Sequence, residues 1–143
     1  MTGIEFHVLP EQGRRQHDVR ICELIEQAWR RGRHVYVHCL DGDMAASLDE
    51  LLWTFHDTSF VPHALSGTDE STHAPVILGA SLAAPDGMDV LVNLHPEVPP
   101  FFGQFDQVIE STGFDAHTRQ QARQRYRFYK DRGYPLTTHS AEA

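Results

Sequence analysis

The sequence predicts an α/β fold: a mostly parallel sheet with helices on both faces, a Rossmann-like three-layer architecture without a nucleotide-binding loop. Three observations predict it. Strand-like and helix-like periodicities alternate along the chain. The segments Pro75–Gly79 and Asp89–Leu94 are short, near-continuous apolar runs, as strands covered on both faces should be. The 143 residues contain no internal repeat, low-complexity tract or linker, so a single domain spanning 1–143 is expected.

The elements follow in order. Ile4-Glu5-Phe6-His7-Val8-Leu9 alternates before Pro10 and reads as a first strand. Residues 15–32 read as a helix, with Ile21, Leu24, Ile25 and Ala28 on one face and Gly32 closing it. His34–Leu40 is a second strand. Asp43 is the expected N-cap of a helix over 44–54. Residues 56–74 read as loop, interrupted by the apolar Phe60-Val61-Pro62. The strands Pro75–Gly79 and Asp89–Leu94 flank a Pro85-Asp86-Gly87 turn. Phe101-Phe102 starts a short helical turn, and Phe105–Glu110 is a further strand. Asp115 caps a final helix, which Gly133 ends before a tail strand at Pro135–Thr138.

Composition narrows the function classes. With 41 % apolar and 22 % charged residues the chain is too apolar for disorder. It has no apolar run near the roughly 18 residues of a membrane span. Met1-Thr2-Gly3-Ile4-Glu5 lacks the pattern of a secretion signal, and Cys22 and Cys39 form no disulfide framework, so a reducing cytoplasm is the expected location. The formal net charge is −8, whereas a protein coating nucleic acid is normally basic. The cations are segregated. Residues 34–118 contain no Lys or Arg and 13 acids, while the chain from 119 onward carries +4. That asymmetry suggests one local anion-binding face.

Several enzyme chemistries fail on specific residues. Val37-His38-Cys39 leaves a strand as in cysteine phosphatases, but Ala45 stands at the arginine position of His-Cys-x5-Arg, and Asp41 and Asp43 would repel phosphate. A buried strand-end cysteine is the simpler reading. No G-x-G-x-x-G follows either early strand; Pro10-Glu11-Gln12-Gly13 and Asp41-Gly42-Asp43 are not phosphate loops. The only lysine is Lys130, so neither a Walker lysine nor a response-regulator lysine exists. No Gly-x-Ser-x-Gly elbow is present. Ten histidines suggest a metal, yet His34 and His38 on one strand stand about 13 Å apart and the rest have no paired spacing. No metal and no cofactor are expected.

Two surfaces stand out. On the final helix, with Ala122 at 0° and about 100° per residue, Ala122, Tyr126 and Tyr129 form a core stripe within about 60°. Arg119, Arg123, Arg127 and Lys130 form a cationic stripe beside it; Arg125 and Arg132 lie on the other flank. The stripe contains no acid, and like charges four residues apart repel by a few tenths of a kcal/mol. Two readings stay open: a solvated helix face, or a site for an anion attached to an apolar group, such as a peptide carboxylate beside a large side chain. On the helix at 44–54, Trp53 lies opposite the core stripe of Met44, Leu48, Leu51, Leu52 and Phe55. Either the Phe60-Val61-Pro62 loop folds back over it, or the two form an exposed aromatic patch for a partner protein.

At these residues the chain resembles a known family. Leu48-Asp49-Glu50-Leu51-Leu52-Trp53, Ser59-Phe60-Val61-Pro62-His63, Ala74-Pro75-Val76, Asp89–Leu94, Ala122-Arg123-Gln124-Arg125-Tyr126-Arg127 and Gly133-Tyr134 together resemble the chi subunit of bacterial DNA polymerase III holoenzyme. The ordered set runs from the first strand to the last helix.

The resemblance implies a non-catalytic accessory protein of the clamp-loader assembly in DNA replication, cytoplasmic and nucleoid-associated through the replisome. It implies two protein partners and no direct contact with DNA or membrane. The psi subunit would meet Trp53, Phe60, Val61 and Pro62. The acidic C-terminal tail of single-stranded DNA-binding protein would meet Arg123, Tyr126 and Arg127, joined by Arg119, Gly133 and Thr138, with Lys130 added by the helical stripe. Arg127 stands where the family has a lysine, and Thr112 and Gln121 stand where apolar residues would line the tail pocket. The alternative is a module that binds nucleic acid directly through the basic helix.

Overall fold

Strand β1 (Gly3–Val8) buries Ile4 and Phe6, as its alternation predicts. The structure is a computed structural model and describes residues 1–10, 13–81 and 83–140; Glu11 and Gln12 of the Pro10-Glu11-Gln12-Gly13 segment lie outside the described residues. Helix α1 (Arg14–Arg30) buries Ile21, Leu24, Ile25 and Ala28 along one face. It ends in a Schellman motif, where Arg33 N–H donates to the Ala28 carbonyl and Gly32 N–H to that of Trp29. Gly32 takes φ +79°, the left-handed conformation that favours glycine.

Strand β2 (Val35–His38) and helix α2 (Gly42–Thr54) come next. The cap of α2 is Asp41, not Asp43: its carboxylate accepts from Met44 N–H at 2.9 Å. Asp43 falls in the first turn, where an acid suits the helix dipole. The segment read as loop contains a three-residue strand β3 (His63–Leu65) and a 3₁₀ turn at Asp69–Thr72. Strands β4 (Val76–Gly79), β5 (Val90–Asn93) and β6 (Gln107–Ser111) follow, with a 3₁₀ turn at Phe102–Gln104 before β6. Helix α3 (Ala116–Asp131) leads to β7 (Leu136–Ser140).

The seven strands form one sheet in the order β3-β4-β2-β5-β6-β1-β7, and every pairing is parallel. The period of two sorts the side chains into two cores. Val35 and Val37 pair with Val76 and Leu78 on one side and Val90 and Val92 on the other, and pack against Ile21, Ile25, Leu48 and Leu52 of α1 and α2. The alternate residues Tyr36, Ile77, Leu91 and Val108 pack with Phe101, Phe102, Phe105 and Tyr129. Two helices therefore cover one face, and α3 with an aromatic turn covers the other. Adjacent strands β1 and β6 hand the chain to opposite faces, through α1 and α3.

Candidate functional site

Helix α3 is fixed at both ends and along its inner face. At its start Asp115 accepts from Thr118 N–H at 2.8 Å, while the Thr118 hydroxyl accepts from Asp115 N–H at 3.1 Å, a reciprocal capping box. The two Thr118 bonds, the backbone one foremost, hold the Asp115 carboxyl below its ordinary pKa. At its end Tyr134 N–H donates to the Tyr129 carbonyl and Gly133 N–H to that of Lys130, with Gly133 at φ +76°. Gly133 is exposed, so its place is to stop the helix and turn the chain into β7.

The buried stripe of α3 is Ala122, Arg125 and Tyr129. The expected stripe differs at two positions: Arg125 points inward and Tyr126 is partly exposed. The reason lies on β6. Glu110, fully buried, accepts from Arg125 Nε at 2.8 Å, Tyr129 Oη at 2.8 Å and Asn93 Nδ2 at 2.9 Å. Arg125 also donates to the carbonyls of Pro96 and Ser111. Burial raises the Glu110 carboxyl above its ordinary pKa, and Arg125, Asn93 and Tyr129 offset only part of that rise. The signal for this network was an acid at an inward position of an apolar strand.

With Arg125 committed inside, Arg123, Arg127 and Lys130 face outward, and they make no ion pair among the described residues. Arg119, Arg123 and Tyr126 line a pocket of about 300 Å³ between α3 and the β1–β7 edge. Phe6, Val8 and Ala122 give it an apolar lining, and Thr112 and Thr138 complete it. Phe6 meets the Tyr126 ring edge-on, centroids 5.2 Å apart. Arg119 is held by donating to the Leu9 carbonyl at 2.7 Å. The Thr112 hydroxyl accepts from Leu9 N–H at 3.0 Å, so a polar residue at this wall serves the fold. Of the residues named from sequence, Arg119, Arg123, Tyr126 and Thr138 converge here. Arg127 and Lys130 extend the cationic face beyond the pocket, and Gly133 and Gln121 do not line it.

The aromatic patch lies at the other edge of the sheet, beside β3. Trp53 is 52 % exposed and Phe60 58 % exposed, with ring centroids 5.8 Å apart. The loop does fold back, and the two rings still remain open together. His63 supports Trp53 from beneath at 4.5 Å. Its Nδ1 lies 2.6 Å from the Val61 carbonyl and its Nε2 2.9 Å from that of Asp49. Val61 corrects the sequence reading: its side chain has no exposed surface and belongs to the α1–α2 core. In the apolar pair Phe60-Val61, one side chain goes out and the next goes in. Pro62 is half-buried at the margin.

The residues that suggested enzyme chemistry are occupied structurally. Cys39 is fully buried, and burial, aided by Asp41, pushes its thiol up to about 12; Cys22 behaves alike. Such thiols stay protonated near neutrality. No group of three or more His, Cys, Asp or Glu among the described residues is arranged to hold a metal ion. No helix among them is long and apolar enough to cross a membrane.

Comparison with known proteins accords with this geometry. The family described as "DNA polymerase III chi subunit, HolC" matches residues 1–137. DNA polymerase III subunit chi of Pseudomonas aeruginosa is 39 % identical over 97 % of this chain and 96 % of its own length. The Haemophilus influenzae subunit is 33 % identical over 94 % of each chain. The Escherichia coli subunit is 34 % identical over 82 % of this chain and 81 % of its own. A crystal structure of T4 UvsW shares the fold, with TM-score 0.64 over 98 % of this chain and 41 % of that one, at 10 % identity. None of the relatives' names indicates a catalytic activity of its own. The chain belongs to the DNA polymerase III chi subunit family, and is an accessory subunit of the replication polymerase.

Proposed function

We propose that the chain is an adaptor: it joins the psi subunit of the clamp-loader assembly to the acidic C-terminal tail of single-stranded DNA-binding protein. The observation that carries the reading is the pocket on α3. It combines an apolar lining with outward cations on a protein whose net charge is −8. A peptide end suits both properties. Arg123, with Arg119 beside it, takes the terminal carboxylate and neighbouring acids. Phe6, Val8, Ala122 and the Tyr126 ring cover the apolar side chain. Arg127 and Lys130 lie along the path of acids further up the tail. The acidic body works against direct DNA binding. Trp53 and Phe60 would take the psi subunit, aromatic anchors of the kind that dominate interface energetics. A single tail contact should be modest and salt-sensitive, and many tails on coated DNA raise the effective concentration.

The test is a titration of a fluorescent peptide copying the tail, against wild type and Arg123→Ala, with a bare oligonucleotide as control. Peptide binding lost in the variant, without oligonucleotide binding, supports the adaptor. Oligonucleotide binding without peptide binding replaces it with the nucleic-acid module.

A further inference from the structure

Apart from both partner faces, a cavity of about 330 Å³ opens at the carboxyl ends of β2, β5 and β6. It sits beside the point where β1 and β6 send the chain to opposite faces of the sheet. Parallel α/β sheets hold small ligands in the crevice outside the strand ends at such a switch point. Neither the Trp53–Phe60 pair nor Arg123 or Tyr126 lines it, so the adaptor reading leaves it unused.

Its chemistry is specific. Leu40, Met44, Leu48, Leu94 and Phe114 supply apolar walls. Four of its polar residues are more than nine-tenths buried, His17, Asn93, Ser111 and Arg125. Arg125 has five N–H donors. One each goes to Glu110, Pro96 and Ser111, which leaves two for a ligand. His17 is oriented by Asp18 on Nδ1 at 3.0 Å and Ser111 Oγ on Nε2 at 3.3 Å. Arg14 and Arg125 line the cavity, and Asp18 is its only lining acid among the described residues. That acid is already engaged by His17 and by Arg14 at 3.8 Å. The cavity is thus an apolar-walled hollow whose cations Arg125 and Arg14 are matched by Glu110 and Asp18, so a ligand's anionic group is met by the uncommitted N–H donors of Arg125 rather than by net charge. Gln121 of α3 stands at its wall with an uncharged amide.

We propose that this crevice binds a small organic anion: a ring-sized apolar body carrying one phosphate or carboxylate. The anionic group goes to Arg125, and the apolar body lies against Leu40, Leu48 and Phe114. No phosphate loop is required, because the charge is met by side chains. A nucleoside monophosphate and an aromatic carboxylate both have this chemistry.

The test uses the full chain alone, so it does not depend on either protein partner. Amide shift changes are followed by NMR on adding adenosine 5′-monophosphate, indole-3-acetate or inorganic phosphate to about 10 mM, enough to fill a site of millimolar Kd. The expected result is saturable shifts at Leu94, Ser111, Gly113 and Phe114 with at least one organic anion, and which one responds identifies the source. Gln121→Glu, which places a negative charge at the wall, should weaken binding about tenfold or more. Ser47→Trp, at an exposed lining position, should block entry without touching the core. No saturable shift with either organic anion overturns the proposal. Equal shifts with inorganic phosphate alone, shifts confined to the Arg123–Tyr126 pocket, or binding unchanged in both variants overturn it as well.

Discussion

Arg125 and Glu110 form an ion pair at 2.8 Å that is buried at both ends. It lies on the inner side of α3, the helix that turns Arg123 and Tyr126 outward. The pair sets the rotation of the helix about its axis. With Arg125 inside, the neighbouring basic residues are left facing solvent.

Removing one partner should therefore be costly. Arg125→Ala leaves a buried carboxylate with only Asn93 and Tyr129, and should destabilise the protein by about 3–5 kcal/mol. Urea denaturation measures it. A loss below about 1 kcal/mol, the range of surface pairs, would mean that the pair does not anchor α3.

The aromatic patch and the residue beneath it should separate cleanly. Trp53→Ala and Phe60→Ala should change stability by less than about 1 kcal/mol, as surface substitutions do. Each should weaken binding of the psi subunit by about 2 kcal/mol, the scale of an interface anchor. Val61→Ala should do the reverse, costing about 1–2 kcal/mol of stability through a core cavity. Calorimetry of binding and thermal melts on the three variants distinguish the roles.

Stability should fall on mild acidification because of His38. Burial lowers its pKa to about 4, with His95 adding to the effect across a ring stack of 5.2 Å. The folded pKa lies below the unfolded one. The unfolded chain thus binds the proton first, and stability drops as pH falls from about 6.5 toward 4, by about 3 kcal/mol at most. His38→Phe should flatten that slope between pH 7 and 5. An unchanged slope would assign the effect to other groups.

Gly133→Ala tests whether the turn at the end of α3 serves the fold or the tail site. A φ of +76° disfavours a Cβ, so the change should cost about 1–2 kcal/mol. Affinity for the tail peptide, measured where the variant is folded, should stay within about twofold, since Gly133 is outside the pocket. A loss comparable to that of Arg123→Ala would make Gly133 part of the tail site.

What was legible in the sequence follows from period and punctuation. The long helices, the apolar strands, the Asp115 cap and the Gly32 and Gly133 stops are local signals, and each appears in the structure within a few residues. Strand β3 was not legible. It is three residues long and pairs only with β4, so tertiary pairing rather than pattern makes it a strand. The helical wheel sets Arg125 about 60° to one side of Ala122, on a flank, and nothing local marks it as buried, because its partner Glu110 lies 15 residues earlier on a strand. Val61 groups with Phe60 in the sequence because adjacent apolar residues carry no sign of which side faces in. The crevice was invisible for a similar reason: its lining gathers at the carboxyl edge of the sheet from distant parts of the chain.

In the proposed adaptor the psi-facing patch and the tail pocket lie at opposite edges of the sheet and act independently. Six strand spacings of about 4.8 Å put β3 and β7 roughly 29 Å apart. The most direct measurement is tail-peptide affinity with and without saturating psi subunit, by fluorescence anisotropy. The expected result is the same affinity within about twofold, with psi but not peptide binding weakened in Trp53→Ala. Displacement of the peptide by the psi subunit would contradict it.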